Sequence, residues 1–137
     1  MDPRLSFVTL VVRDLEASRA FYVDGLGWPV ALDAPGEVLM IRVADRVVLS
    51  LWSEASAREE IGPVARSEGA PPFTLAHNVP EPDDVDRVVA LAVAAGATLV
   101  GAPVTRDWGG RSGYVGDPDG FLWEIAYNPG PVGRSVL

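Results

Sequence analysis

The stretch GYVGDPDGFLWEIAYNP, residues 113 to 129, holds a lone carboxylate, Glu124, inside an otherwise apolar run. A carboxylate so placed could bind a metal, act as a general base, or meet a cation or hydrogen-bond donor of a ligand. The chain has one histidine, His77, and no cysteine. A disulfide framework, a thiolate metal site and a cysteine nucleophile are therefore excluded. Ser50 and Thr74 have no visible histidine to activate them as nucleophiles. Upstream of Glu124 the loop TRDWGGRSGY (105 to 114) gathers an aromatic, the Gly109-Gly110 pair, Arg111 and Tyr114. It reads either as a turn with Trp108 covering the core, or as one end of a binding site. In the second case Trp108 closes the site and Arg111 or Tyr114 reaches the polar atoms of a ligand. Asp117 and Asp119 of DPDG read as turn residues whose side chains cap local amides.

These groups need a scaffold, and the pattern of apolar residues supplies one. LSFVTLVV (5 to 12) is β-branched and apolar and predicts a buried strand. Asp14 stands at an N-cap position, and LEASRAFYVD predicts a helix closed by Gly25. PVALDA, EVLMIRVA and VVLSLWS predict three further strands. The order then repeats. FTLAHNV (73 to 79) predicts a strand, and from Pro82 the residues Val85, Val88, Val89, Ala92 and Val93 recur at helical spacing up to Gly96. TLVGAPV, RSGYVGD and FLWEIAYN predict the last three strands. Two βαβββ modules, residues 5 to 53 and 73 to 129, thus flank a polar linker, 54 to 72, with room for a helical turn. The fold class is α+β in one domain of 137 residues, with a concave face expected between two sheets and helices outside.

Composition narrows the partners. The formal net charge is −8, and all eleven basic residues are arginine. An acidic chain is a poor match for a phosphate backbone, so nucleic acid is not expected as a partner. No apolar run reaches the roughly 20 residues that a membrane-spanning helix needs. The simplest expectation is a soluble cytoplasmic protein without a membrane partner.

The patterns FVTLVVRDLEASRAFYVDGLGW, VDRVVALAVAAGA and GDPDGFLWEIAYNP together resemble the vicinal oxygen chelate superfamily, which includes glyoxalases, extradiol dioxygenases, fosfomycin resistance enzymes and bleomycin-binding proteins. The resemblance implies that Glu124 faces the cup and that Leu122 and Ala126 share its side. It also implies metal ligands at four positions, of which Phe7, Thr74 and Ser50 occupy three and Glu124 the fourth. Phenylalanine has no lone pair, and neutral hydroxyls are poor ligands for divalent ions, so neither a metal nor another cofactor is expected. Strand parity puts His77 on the helix side, as a hydrogen-bonded structural residue. Phe7, Thr9, Val48, Ser50 and Trp52 are expected to line the cup from the first module.

The function expected is metal-independent binding of a small cationic or aromatic molecule by Phe7, Thr9, Ser50, Trp52, Thr74, Trp108, Arg111, Tyr114 and Glu124. Alternatives are a metal-dependent lyase, isomerase or dioxygenase with displaced ligands, and an interaction module. A homodimer is expected because edge strands tend to be covered.

Overall fold

β1 (Phe7–Val12) leads into α1 (Leu15–Arg19), and then come β2 (Val30–Ala34), β3 (Val38–Ala44) and β4 (Val47–Ser53). The computed structural model describes residues 1–66 and 69–137. The chain divides into two compact units, Met1–Ser67 and Glu68–Leu137. Each builds one four-stranded mixed sheet with helices, an α+β arrangement.

In the first unit the strand order is β1-β4-β3-β2. The first strand runs parallel to the last, as a helical crossover after β1 requires. Asp14 caps α1 as expected, its Oδ1 accepting from the backbone N–H groups of Glu16 and Ala17 at 2.9 and 3.1 Å. The helix continues as a wider π-helical stretch, Ala20–Gly25. Both Phe21 and Tyr22 are buried there, with their rings edge to face at 4.7 Å. The left-handed residue that ends the helix is Gly27 (φ 71°), two positions beyond the expected Gly25. The register places Leu10, Leu51 and Leu39 side by side on one sheet face, all of them buried. α1 packs over β3 and β4.

The region expected to be a linker is more ordered at its start. Its first eight residues form α2 (Glu54–Ile61), capped by the Ser53 hydroxyl accepting from the Ser56 N–H at 3.2 Å. Glu54 pairs with Arg58 one turn later and with Arg66. Residues 67 and 68 of that linker lie outside the described residues.

The second unit repeats the plan with β5 (Leu75–Asn78), α3 (Pro82–Ala94), β6 (Thr98–Thr105), β7 (Arg111–Gly116) and β8 (Leu122–Tyr127) in the order β5-β8-β7-β6. A short α4 (Pro131–Arg134) follows, which the sequence pattern does not announce. α3 packs on β6, β7 and β8 through the buried Val85, Val89 and Ala92, whereas Val93 is exposed despite its helical spacing. β5 is shorter than expected. Pairing with β8 starts only at Leu75, leaving Phe73 and Thr74 ahead of the strand.

Candidate functional site

The second sheet positions Glu124. In its register Glu124 lies between Tyr114 of β7 and Ala76 of β5. Residues paired across neighbouring strands share a face, and so do alternate residues along one strand. Leu122, Ala126, Ser112 and Gly116 therefore accompany Glu124 and Tyr114. Trp123 and Ile125 lie on the other face, with Val115 beside Trp123. The Tyr114 hydroxyl donates to Glu124 Oε1 at 2.7 Å, and both residues are half-buried. Among the described residues no other hydrogen bond to Glu124 accompanies this one, which leaves Oε2 available to solvent or a ligand.

Accepting from the Tyr114 hydroxyl, the Glu124 carboxylate raises the pKa of that phenol above its ordinary value of 10.0, with burial and the carboxylate charge acting in the same direction. A hydrogen bond with Ser112 and the charge of Arg106 oppose the rise. A raised folded-state value means that this contribution to stability is fully present below the unfolded phenol's pKa. It is lost as pH rises through the folded value. In a difference titration of wild type against Tyr114→Phe, the missing phenol should ionise above the ordinary tyrosine value. In the Glu124→Gln background it should shift downward. Titration of Tyr114 at the ordinary value in wild type would contradict the pairing.

Arg106, which the sequence pattern passes over, also reaches this face. Its Nε donates to the Ser112 hydroxyl at 2.8 Å, and Nη2 donates to the Ser112 carbonyl at 3.4 Å. Its guanidinium carbon lies 5.8 Å from the centre of the Tyr114 ring. The available signal was the tight turn between β6 and β7: the Arg106 N–H donates to the Gly110 carbonyl at 2.8 Å, so Arg106 returns toward Ser112.

Other expected residues separate. Arg111 pairs in register with Tyr127, on the face opposite Glu124. There its Nε and Nη2 donate to the two oxygens of Asp86 on α3 at 2.7 and 2.8 Å. That bond lowers the Asp86 pKa and raises that of Arg111. Strand parity explains why Arg111 is not beside Tyr114: residues an odd number of positions apart on a strand point to opposite faces, and these two are three apart. Trp108 is 53% exposed and lies over Gly110, where an added Cβ would fall 1.6 Å from the indole and 2.5 Å from the Tyr127 carbonyl oxygen. His77 aligns with Ile125, away from Glu124, as parity predicts. Burial lowers its pKa, and among the described residues no side-chain hydrogen bond to His77 is found, so the hydrogen bond expected for it is not observed. Asp117 caps the DPDG turn as expected, accepting from the N–H groups of Asp119 and Phe121 at 3.0 and 2.8 Å.

In the first unit Phe7, Thr9, Val48, Ser50 and Trp52 share one face, opposite the Leu10–Leu51–Leu39 row. Phe7 is 51% exposed and Ser50 is buried.

The Glyoxalase/Bleomycin resistance protein/Dioxygenase superfamily matches residues 4–125. The chain belongs to this superfamily. A glyoxalase-related enzyme from Fulvimarina pelagi is 37% identical, with a TM-score of 0.82 over 93% of this chain and 89% of its own. A superfamily protein from Nocardioides is 28% identical, with a TM-score of 0.74 over 95% and 89%. Lactoylglutathione lyase from Agrobacterium tumefaciens shares the fold at 22% identity, with a TM-score of 0.71 over 93% and 96%. No curated protein matches.

Among the described residues no three His, Asp or Glu side chains gather as a metal would require. Among them, too, no helix is long and apolar enough to cross a membrane.

Proposed function

We propose that this protein binds a small molecule on the Glu124 face of its second sheet, as a cytoplasmic homodimer and without a metal held by the protein. The carboxylate meets a cationic or donor group of the ligand, and Tyr114 contributes an aromatic surface. The observation that supports this reading most strongly is the 2.7 Å bond from Tyr114 to Glu124 Oε1, which orients the carboxylate while leaving Oε2 unused by the described residues. A carboxylate that is half-buried and only half-satisfied retains acceptor capacity for a ligand. Thr74, just ahead of β5, belongs to the reading as a further contact, and Trp108 as a covering aromatic. Arg111 drops out of it, since Asp86 holds its fork.

A ligand that binds only the folded state raises the melting temperature in proportion to its affinity. Added Ni, Zn, Fe or Mn should therefore leave the melting curve of the purified protein unchanged. A chelator that lowers the melting temperature would contradict the metal-free reading. A screen of small cationic aromatics by thermal shift tests the binding itself, hits on wild type being expected to weaken in Glu124→Gln. Sedimentation at micromolar concentration should give a dimer, and a monomer would refute that part.

A further inference from the structure

We infer that Arg106 is an anion-binding arm of the same face, so that the ligand is bipolar, with an acidic group for Arg106 and a donor or cation for Glu124. This rests on the proposed ligand site and extends it. The other arginines with described ion pairs are matched to carboxylates: Arg19 to Asp33, Arg58 and Arg66 to Glu54, Arg87 to Asp84 and Arg111 to Asp86. Arg106 differs. Its described partners are the hydroxyl and carbonyl of Ser112 and the ring of Tyr114, all neutral. It is half-buried, and Ser112 beneath it is 1% exposed, so the guanidinium is fixed from below by a side chain with little freedom to move.

Guanidinium carries five N–H donors. The bonds to Ser112 occupy the Nε–H and one N–H of Nη2, so both donors of Nη1 and one of Nη2 remain. These form the terminal edge of the fork, whose planar geometry suits a carboxylate or another oxyanion. A partly desolvated cation held by neutral acceptors is incompletely compensated, and an anionic group of a ligand supplies the missing charge. Tyr114 joins the two ends: its hydroxyl is on Glu124 and its ring is near Arg106. A molecule with an acidic group at one end and an amine at the other, separated by a flat ring, has the matching chemistry.

The test uses benzoate, benzylamine and 4-(aminomethyl)benzoate as probes, titrated through the millimolar range into wild type, Arg106→Gln, Arg106→Lys and Glu124→Gln, each checked for an intact melt. Binding is read from the Arg Nε–Hε and Tyr114 resonances. Benzoate should shift the Arg106 resonance saturably in wild type and in Glu124→Gln. Its affinity should fall about tenfold or more in Arg106→Gln, as expected for a charge-assisted contact. Arg106→Lys, with charge but no fork, should fall between the two and serves as the variant of record if Arg106→Gln does not fold. The bipolar probe should bind wild type more tightly than either half, and that gain should vanish in Arg106→Gln. A benzoate response that is absent in wild type, or equal in wild type and both Arg106 variants, overturns the inference. Arg106 would then be only a clamp on the β6–β7 turn. Benzylamine binding that is indifferent to Glu124→Gln sinks the proposed carboxylate site instead, and the two failures are thereby distinguished.

Discussion

Replacing Leu51 with Ala should lower the unfolding free energy by about 2–5 kcal/mol, the range for truncating a buried leucine. Leu51 is 0% exposed at the middle of β4. Its neighbours in the sheet are Leu10 on the parallel side and Leu39 on the antiparallel side, each almost fully buried. The substitution removes apolar contact from the centre of this row and leaves a cavity that two hydrogen-bonded neighbouring strands cannot readily collapse into. Chemical denaturation of wild type and variant measures the difference. A loss below about 1 kcal/mol, the centre of the range for ordinary substitutions, would mean that the row is not the core of the first unit.

Replacing Glu124 with Gln should weaken binding of a cationic ligand by about 1.5–3 kcal/mol, which is roughly ten- to a hundredfold, while leaving the fold intact. Gln keeps the size and an acceptor oxygen, so Tyr114 can still donate across the β7–β8 pair. What disappears is the charge. A charged acceptor makes a hydrogen bond about twice as strong as a neutral one, so a donor of the ligand at Oε2 is held less tightly. Because Glu124 is only half-buried, its substitution leaves no large cavity. Stability and binding should therefore separate, which would not occur for a core residue.

Much of this was legible in the residues. Periodicity gave all eight strands and both main helices, because in each module one face of every element has to be buried. Parity from Glu124 puts Leu122 and Ala126 on its face, and parity from Thr74 puts His77 on the other, as the register shows. Less accessible were features fixed by tertiary contacts. The π-helical widening that buries Phe21 and Tyr22 together leaves no simple spacing signal. Arg111 looked like a ligand contact because its charge was visible and its partner, Asp86, lies 25 residues away on α3. Arg106 was missed for the converse reason: its place depends on a turn that brings it back over Ser112. The start of β5 is set by where pairing with β8 begins, at Leu75, which β-propensity in FTLAHNV does not reveal.

The most direct test of the central claim is calorimetric titration of the best cationic hit into wild type and Glu124→Gln, with a chelator present throughout and thermal melts run in parallel. A metal-free Glu124 site requires that wild type binds despite the chelator, that Glu124→Gln binds roughly ten- to a hundredfold more weakly, and that the two proteins melt together. Equal affinity for both proteins, or loss of wild-type binding when the chelator is added, would contradict it.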